Sequence, residues 1–143
     1  MQWMYSEESL RRQMTIDGHR FFVIDGKGYV SFRTDGMTDD GVRRYHLEKL
    51  YITPECQGCG LGRRLFHKVV DEVLAESNGS AVIELNVNRN NKALAFYQRL
   101  GLHIDRSGDF PIGNGFFMND YIMQIRPRFD YAEARGKKTI VKE

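Results

Sequence analysis

From Leu61 onward, the apolar residues Leu65, Phe66, Val69, Val70, Val73 and Leu74 recur at helical spacing until Asn78-Gly79 ends the pattern. That period predicts one long helix with an apolar face laid on a sheet. The next stretch, 81–87, changes period. Ala81, Ile83, Leu85 and Val87 alternate with Val82, Glu84 and Asn86, which predicts a buried strand whose second, more polar face borders a cleft. Upstream, 20–24 and 29–34 are β-rich runs joined by Asp25-Gly26-Lys27-Gly28, the signature of an antiparallel hairpin. A polar loop over 35–41 leads to a third strand over 45–52. Residues 91–100 predict a second helix closed by Gly101, 102–105 a strand and 119–125 the last strand. At the start, Ser6 followed by Glu7 and Glu8 predicts a short helix reaching about Met14. Strands and helices mixed in this order predict an α+β fold with α/β/α layering around a mostly antiparallel sheet.

Composition narrows the function more than the fold. The chain has 143 residues, enough for one core, with 21 Lys and Arg against 19 Asp and Glu. So small a net charge argues against a nucleic-acid binder. No long apolar run predicts a membrane span, and the first residues lack the basic and apolar regions of a secretory signal. Cytoplasmic residence is therefore the expectation. The late basic residues, Arg126, Arg128, Arg135, Lys137, Lys138 and Lys142, follow the last strand and predict a solvated tail over 127–143, with the folded domain at 1–126.

The chemistry concentrates between Leu50 and Leu65, where a strand ending Ile52-Thr53-Pro54 enters a glycine-rich turn. Gly58, Gly60 and Gly62 occupy alternate positions where the long helix begins. Several backbone N–H groups then point at one anion with no Cβ in the way, a geometry that cradles phosphate. A Rossmann fingerprint fails because the third position after Gly60 is Arg63, and a P-loop fails because Gly62 precedes Arg63-Arg64 rather than Lys-Ser/Thr. What remains, Gln57-x-x-Gly60-x-Gly62 after a strand, resembles the acyl-CoA pyrophosphate loop of the GNAT N-acetyltransferase superfamily. The run from Val87 to Leu102 is similar to the superfamily's next strand-to-helix segment, with Asn91 six residues before Tyr97. The run from Gly113 to Met123 is similar to the closing strand of a subgroup of small bacterial acetyltransferases.

The resemblance, which covers roughly residues 5–125, implies acetyl-CoA as co-substrate and transfer of acetyl to an amine by direct attack in a ternary complex. It implies cofactor contacts from Leu50, Tyr51, Ile52, Gln57, Gly58, Cys59, Gly60, Leu61, Gly62, Arg63, Asn91 and Tyr97. The third strand and the 81–87 strand are expected to splay near the glycine turn, so that the pantetheine arm borrows backbone hydrogen bonds from about Leu50 to Ile52. The same donors suit a thioester oxygen gaining charge. Tyr97 is the expected acid for the CoA sulfur, because a phenol stays protonated at neutral pH. Glu48, read as sharing the strand face of Leu50 and Ile52, is the expected base, with Glu84 second and Asp120 third; His46 reads as a rim residue on the Glu48 face. Gln57 reads as a turn-stabilising amide, Asn91 as a helix cap and Phe96 as core.

Family members usually carry an additional strand and helix before the segment that begins here at Tyr5. Their apparent absence predicts an open sheet edge and, through it, a homodimer. Cys56 and Cys59 form a C-x-x-C inside the phosphate loop, but no histidine pairing completes a zinc site, so no metal is expected. Both read as small loop residues, with a reversible disulfide as the redox alternative. The alternative to an enzyme is a CoA-binding sensor or scaffold on the same frame. The acceptor amine is not specified by these motifs.

Overall fold

The computed structural model describes residues 12–16, 18–113, 116–128 and 131. Seven strands form one sheet in the order β1-β2-β3-β4-β5-β7-β6. They are β1 (Arg12–Ile16), β2 (His19–Ile24), β3 (Gly28–Met37), β4 (Arg43–Ile52), β5 (Ala81–Asn88), β6 (His103–Gly113) and β7 (Phe116–Ile125), with helices α1 (Leu61–Ser77) and α2 (Ala93–Arg99) between β4 and β6. Every pairing is antiparallel except β4 with β5. A parallel pair needs a crossover, and α1 supplies it.

The apolar face of α1 packs as its period predicts. Leu65, Phe66, Val69, Val70 and Val73 are fully buried against Phe22, Val30, Phe32, Tyr45, Leu47, Ile83 and Leu85 from four strands. Each such aliphatic or aromatic side chain removed from water contributes about 1.5–3 kcal/mol. Helix α1 ends at Asn78, left-handed at φ 57°, whose N–H bonds the Leu74 carbonyl. Helix α2 lies beside α1: a Cβ placed on Gly62 of α1 would sit 3.2 Å from Cζ of Phe96. Tyr131 joins the two, with its ring against Phe66 and its hydroxyl donating to the Leu100 carbonyl at 2.6 Å. That residue falls in the stretch read as a tail, yet it is buried.

Three expectations need correction. Residues 12–14 are strand, not helix; β1 pairs with β2 from Arg12↔Val23 to Ile16↔His19. The overlooked signal is Asp17-Gly18, a hairpin dipeptide, and Gly18 has φ 80°. The rest of that predicted helix lies outside the described residues. Second, β1 pairs with β2, so the open edge on that side of the sheet lies at β1, one strand further out than expected. Third, the strand expected to end at 105 runs on to Gly113, paired along β7 with irregularities near Asp105 and Ile112. Pro111 is tolerated there because β6 is an edge strand. No helix among the described residues is long and apolar enough to cross a membrane.

Candidate active site

The site is made by a failure of pairing. Strands β4 and β5 are in register only from Arg43↔Ala81 to His46↔Glu84. Beyond that rung β4 stays with β3, through Leu50↔Val30 to Ile52↔Gly28, and β5 stays with β7, through Leu85↔Met123 to Asn88↔Asp120. Backbone groups of β4 between Leu47 and Ile52 that would complete a ladder with β5 therefore face a gap, as the splay expected from the motifs requires.

A bulge sets which side chains look into it. Ser31 pairs with Lys49 and Phe32 with Leu47, leaving Glu48 as the extra residue in β4. One extra residue reverses the alternation. Tyr45 and Leu47 face the helices before it, and Leu50 and Ile52 do so after it. Glu48 thus does not share the face of Leu50 and Ile52. Its carboxylate lies on the far face, where Oε2 accepts from Arg33 Nε at 2.7 Å and sits 3.9 Å from His46 Nε2. The strand-parity argument for Glu48 assumed a regular strand, and the bulge overturns it.

On the helix side, a cleft of about 510 Å³ is lined by Leu50, Ile52, Cys56, Gln57, Gly58, Gly60, Leu61, Gly62, Arg63, Ala93, Phe96, Tyr97, Arg99 and Leu100. Its floor is the glycine turn. Gly58 and Gly60 adopt φ 82° and 84°, a region that side-chain-bearing residues rarely occupy. Gly60 leads α1 with no side-chain cap, and the first helical hydrogen bond is Arg64 N–H to the Gly60 carbonyl. The N–H groups of Leu61, Gly62 and Arg63 have no backbone acceptor among the described residues, so the positive end of a 17-residue helix opens on the cleft. The Gln57 side-chain amide donates to the Ile52 carbonyl at 3.0 Å and pins the turn, as read from sequence. Arg63 and Arg99 border the cleft, and neither has a carboxylate partner among the described residues. The donor set, the cations and the slot fit a thin chain carrying a pyrophosphate.

Gly62 has a different task from its neighbours. It sits inside the helix, and its missing side chain is what lets α1 approach Phe96. Phe96, read as core, is half-buried and lines the cleft; Cys56, Ala93, Arg99 and Leu100 were not foreseen there. A glycine within a helical run is the signal that could have found the Phe96 contact. Four expected residues lie outside the lining. Asn91 lies two residues before α2, where Lys92 is the N-cap, and its Oδ1 accepts from Ala93 N–H at 2.8 Å. Cys59 is exposed. Tyr51 turns to the far face, 47% exposed and 6.0 Å from the Tyr29 ring. Glu48 is displaced by the bulge. Among the described residues, no group of His, Cys, Asp and Glu is arranged to hold a metal.

Tyr97 is buried at the cleft wall, edge-on to Phe96, and burial pushes its phenol up to about 12. It remains a hydrogen-bond donor over the whole physiological range. Full ionisation in favour of a thiolate near 8.5 in water is uphill by about 5 kcal/mol, a gap narrowed when the sulfur is buried too.

On the far face of the sheet, Glu84 and Asp120 are buried, 7% and 3% exposed. Arg106 Nη1 lies 3.7 Å from Glu84, and Asn86 Nδ2 lies 3.5 Å from Asp120.

Known proteins share this fold. A family model described as an acetyltransferase (GNAT) domain matches residues 2–117. The chain is 37% identical over 92 residues to the L-amino acid N-acyltransferase MnaT of Escherichia coli K12, a match covering 61% of this chain and 52% of MnaT. The chain therefore spans about half the length of that curated relative. The fold is similar to Arabidopsis thaliana Naa50 with the bisubstrate analogue CoA-Ac-MVNAL, at TM-score 0.59 and 20% identity over 76% of this chain and 72% of that one. It is also similar to A. thaliana NAA60 with acetyl-CoA, at TM-score 0.62 and 16% identity over 77% of each chain. A third likeness is to the spermidine/spermine N-acetyltransferase SpeG of Vibrio cholerae, at TM-score 0.59 and 24% identity over 76% of this chain and 64% of that one. At such identities the structural likenesses speak for the fold alone, whereas the family model spans most of the sequence: the chain belongs to the GNAT acetyltransferase family.

Proposed function

We propose that this acetyltransferase moves the acetyl group of acetyl-CoA to a primary amine, with both substrates bound at once. The carrying observation is the parting of β4 and β5 directly above a capless, glycine-led helix start. Bound there, acetyl-CoA supplies an activated thioester. The protein's own groups do the rest. The Leu61, Gly62 and Arg63 N–H groups, with Arg63 and Arg99, take the pyrophosphate end. The β4 backbone from Leu50 to Ile52 lines up the arm and polarises the carbonyl. Tyr97 donates to the sulfur.

Direct attack is favoured over a cysteine acyl-enzyme. Cys56 belongs to the turn at the pyrophosphate end, and Cys59 is exposed outside the cleft; among the described residues no hydrogen bond or ion pair links either thiol to a histidine that would activate it. The acceptor class is open to the amines named for the relatives and structural neighbours: free L-amino acids, spermidine and a peptide N-terminus. Calorimetric titration of the reduced protein with acetyl-CoA and with CoA, followed by mass-detected turnover of these amines, tests the reading. Low-micromolar binding with acetylation of one amine class is the expected result. Binding with no turnover of any amine would favour a sensor or scaffold. No binding would remove the pyrophosphate assignment.

A further inference from the structure

The cleft that takes the pyrophosphate lies on the helix side of the sheet, yet the gap between β4 and β5 passes through it. Its far side carries the titratable groups. His46 and Glu84 form the last paired rung before the strands part, and Glu48 sits on the bulge just beyond, its Oε2 3.9 Å from His46 Nε2. The His46 side chain is 18% exposed, so it is fixed in place but reachable.

We propose that His46, and not Glu48, takes the proton from the acceptor amine, which enters from the face of the sheet opposite the helices. This rests on the acetyl-transfer reading above. The Glu48 oxygen nearest His46 is the one that accepts from Arg33, so protonating it would sacrifice a charge-assisted hydrogen bond. Imidazole takes and releases protons near neutral pH without such a loss. Glu48 on β4 and Glu84 on β5 are the acidic neighbours of His46. Arg33, the β3 register partner of His46, is engaged by Glu48 and Asp35, and Arg106 on β6 by Glu84 and Asp105. Asp120, buried further along the same face, adds negative charge that favours an incoming ammonium.

The proton count closes. His46 removes one proton from the ammonium, freeing the lone pair. The N–C bond forms, the C–S bond breaks and its electron pair leaves on sulfur. The second nitrogen proton ends on the sulfur by way of the Tyr97 phenol, which gives one proton and regains one. His46 then releases its proton to water.

The test is H46Q, followed with acetyl-CoA and whichever of spermidine, the L-amino acids or the peptide MVNAL the wild type acetylates fastest. The expected outcome is a kcat loss of about 100-fold, acetyl-CoA affinity within threefold, and loss of the rise in kcat/KM with pH that a proton-accepting side chain at this position gives the wild type. A purely structural His46 would lower the rate without removing that rise. H46N replaces H46Q if the latter melts early, and added imidazole should partly restore H46A. Unchanged kcat, or a retained pH-dependent rise, overturns the assignment of His46 while leaving the transferase reading intact. Wild-type binding of acetyl-CoA with no turnover of any amine overturns the transferase reading and this assignment together.

Discussion

Strand β4 has two ends that do opposite work. At its zipped end, Arg43 to His46 pair with β5, and Tyr45 is fully buried while its hydroxyl donates to Glu76 at 2.7 Å. Glu76 also holds Arg20 in a two-pronged contact at 2.7 and 2.8 Å, and the Arg20 guanidinium stacks 4.6 Å above the Phe32 ring. Backbone and side-chain polar groups there find partners within the protein. At the parted end, beyond the bulge, β4 backbone groups face the gap and the helix start has no cap. The lesson is that one strand can be both clamp and site because its partner leaves halfway along.

The sharpest way to break that division is at the glycine turn. Gly60→Val places a β-branched residue at φ 84°, where strain and a Cβ over the helix start combine. Acetyl-CoA affinity should fall by about 100-fold or more, worth about 2.7 kcal/mol, while about 1–3 kcal/mol of backbone strain lowers the melting temperature by several degrees without abolishing folding; calorimetry and a thermal melt check both. Unchanged affinity would mean that the turn does not hold the pyrophosphate. Next comes Tyr97→Phe, which leaves the packing against Phe96 and removes only the donor. Turnover should drop by about 10- to 100-fold while the acetyl-CoA Kd stays within threefold, a split read from steady-state kinetics beside direct binding. Equal losses in both would make Tyr97 a binding residue.

The smallest effect should come from the zipped end, and in a different quantity. Arg20's hydrogen bonds, followed by the contribution of Tyr45, hold the Glu76 carboxyl below its usual range, against the opposing cost of burial. A depressed folded-state pKa means stability that is present above the unfolded carboxyl's range and is lost as pH falls through the folded one. Glu76→Gln should therefore cost about 1 kcal/mol at pH 7, given a side chain that is 30% exposed, and should flatten the acid limb of stability below about pH 5. Acetyl-CoA affinity should not move. A variant that lost affinity instead would show that the two ends are coupled.

Most of this was legible in the sequence where one periodicity or one motif decided it. The 3.6-residue repeat from Leu65 to Leu74, the alternation from Ala81 to Val87 and the Gln57-to-Gly62 turn each specify a local structure that tertiary contacts reinforce. The failures share a cause as well. Glu48 was misplaced because a bulge is fixed by register with Ser31 and Phe32, fifteen or more residues away. Arg99 and Phe96 were missed because a cleft is a relation between two helices, and a helical period records only which face is buried. Arg12 to Met14 went wrong because capping residues before them outweighed the Asp17-Gly18 dipeptide after them.

The bulge at Glu48 also works as a frame marker for anyone altering this strand. Leu47 and Leu50 face the helices with two residues between them, so deleting Glu48 alone would make Leu47↔Phe32 and Lys49↔Ser31 consecutive rungs and leave Leu50 and Ile52 facing inward. A deletion beyond the bulge has the opposite result: every later side chain changes face, and the wall of the cleft is lost. The extra residue is thus the one position in β4 that the sheet can lose without changing its frame, and what goes with it is the carboxylate beside Arg33 and His46.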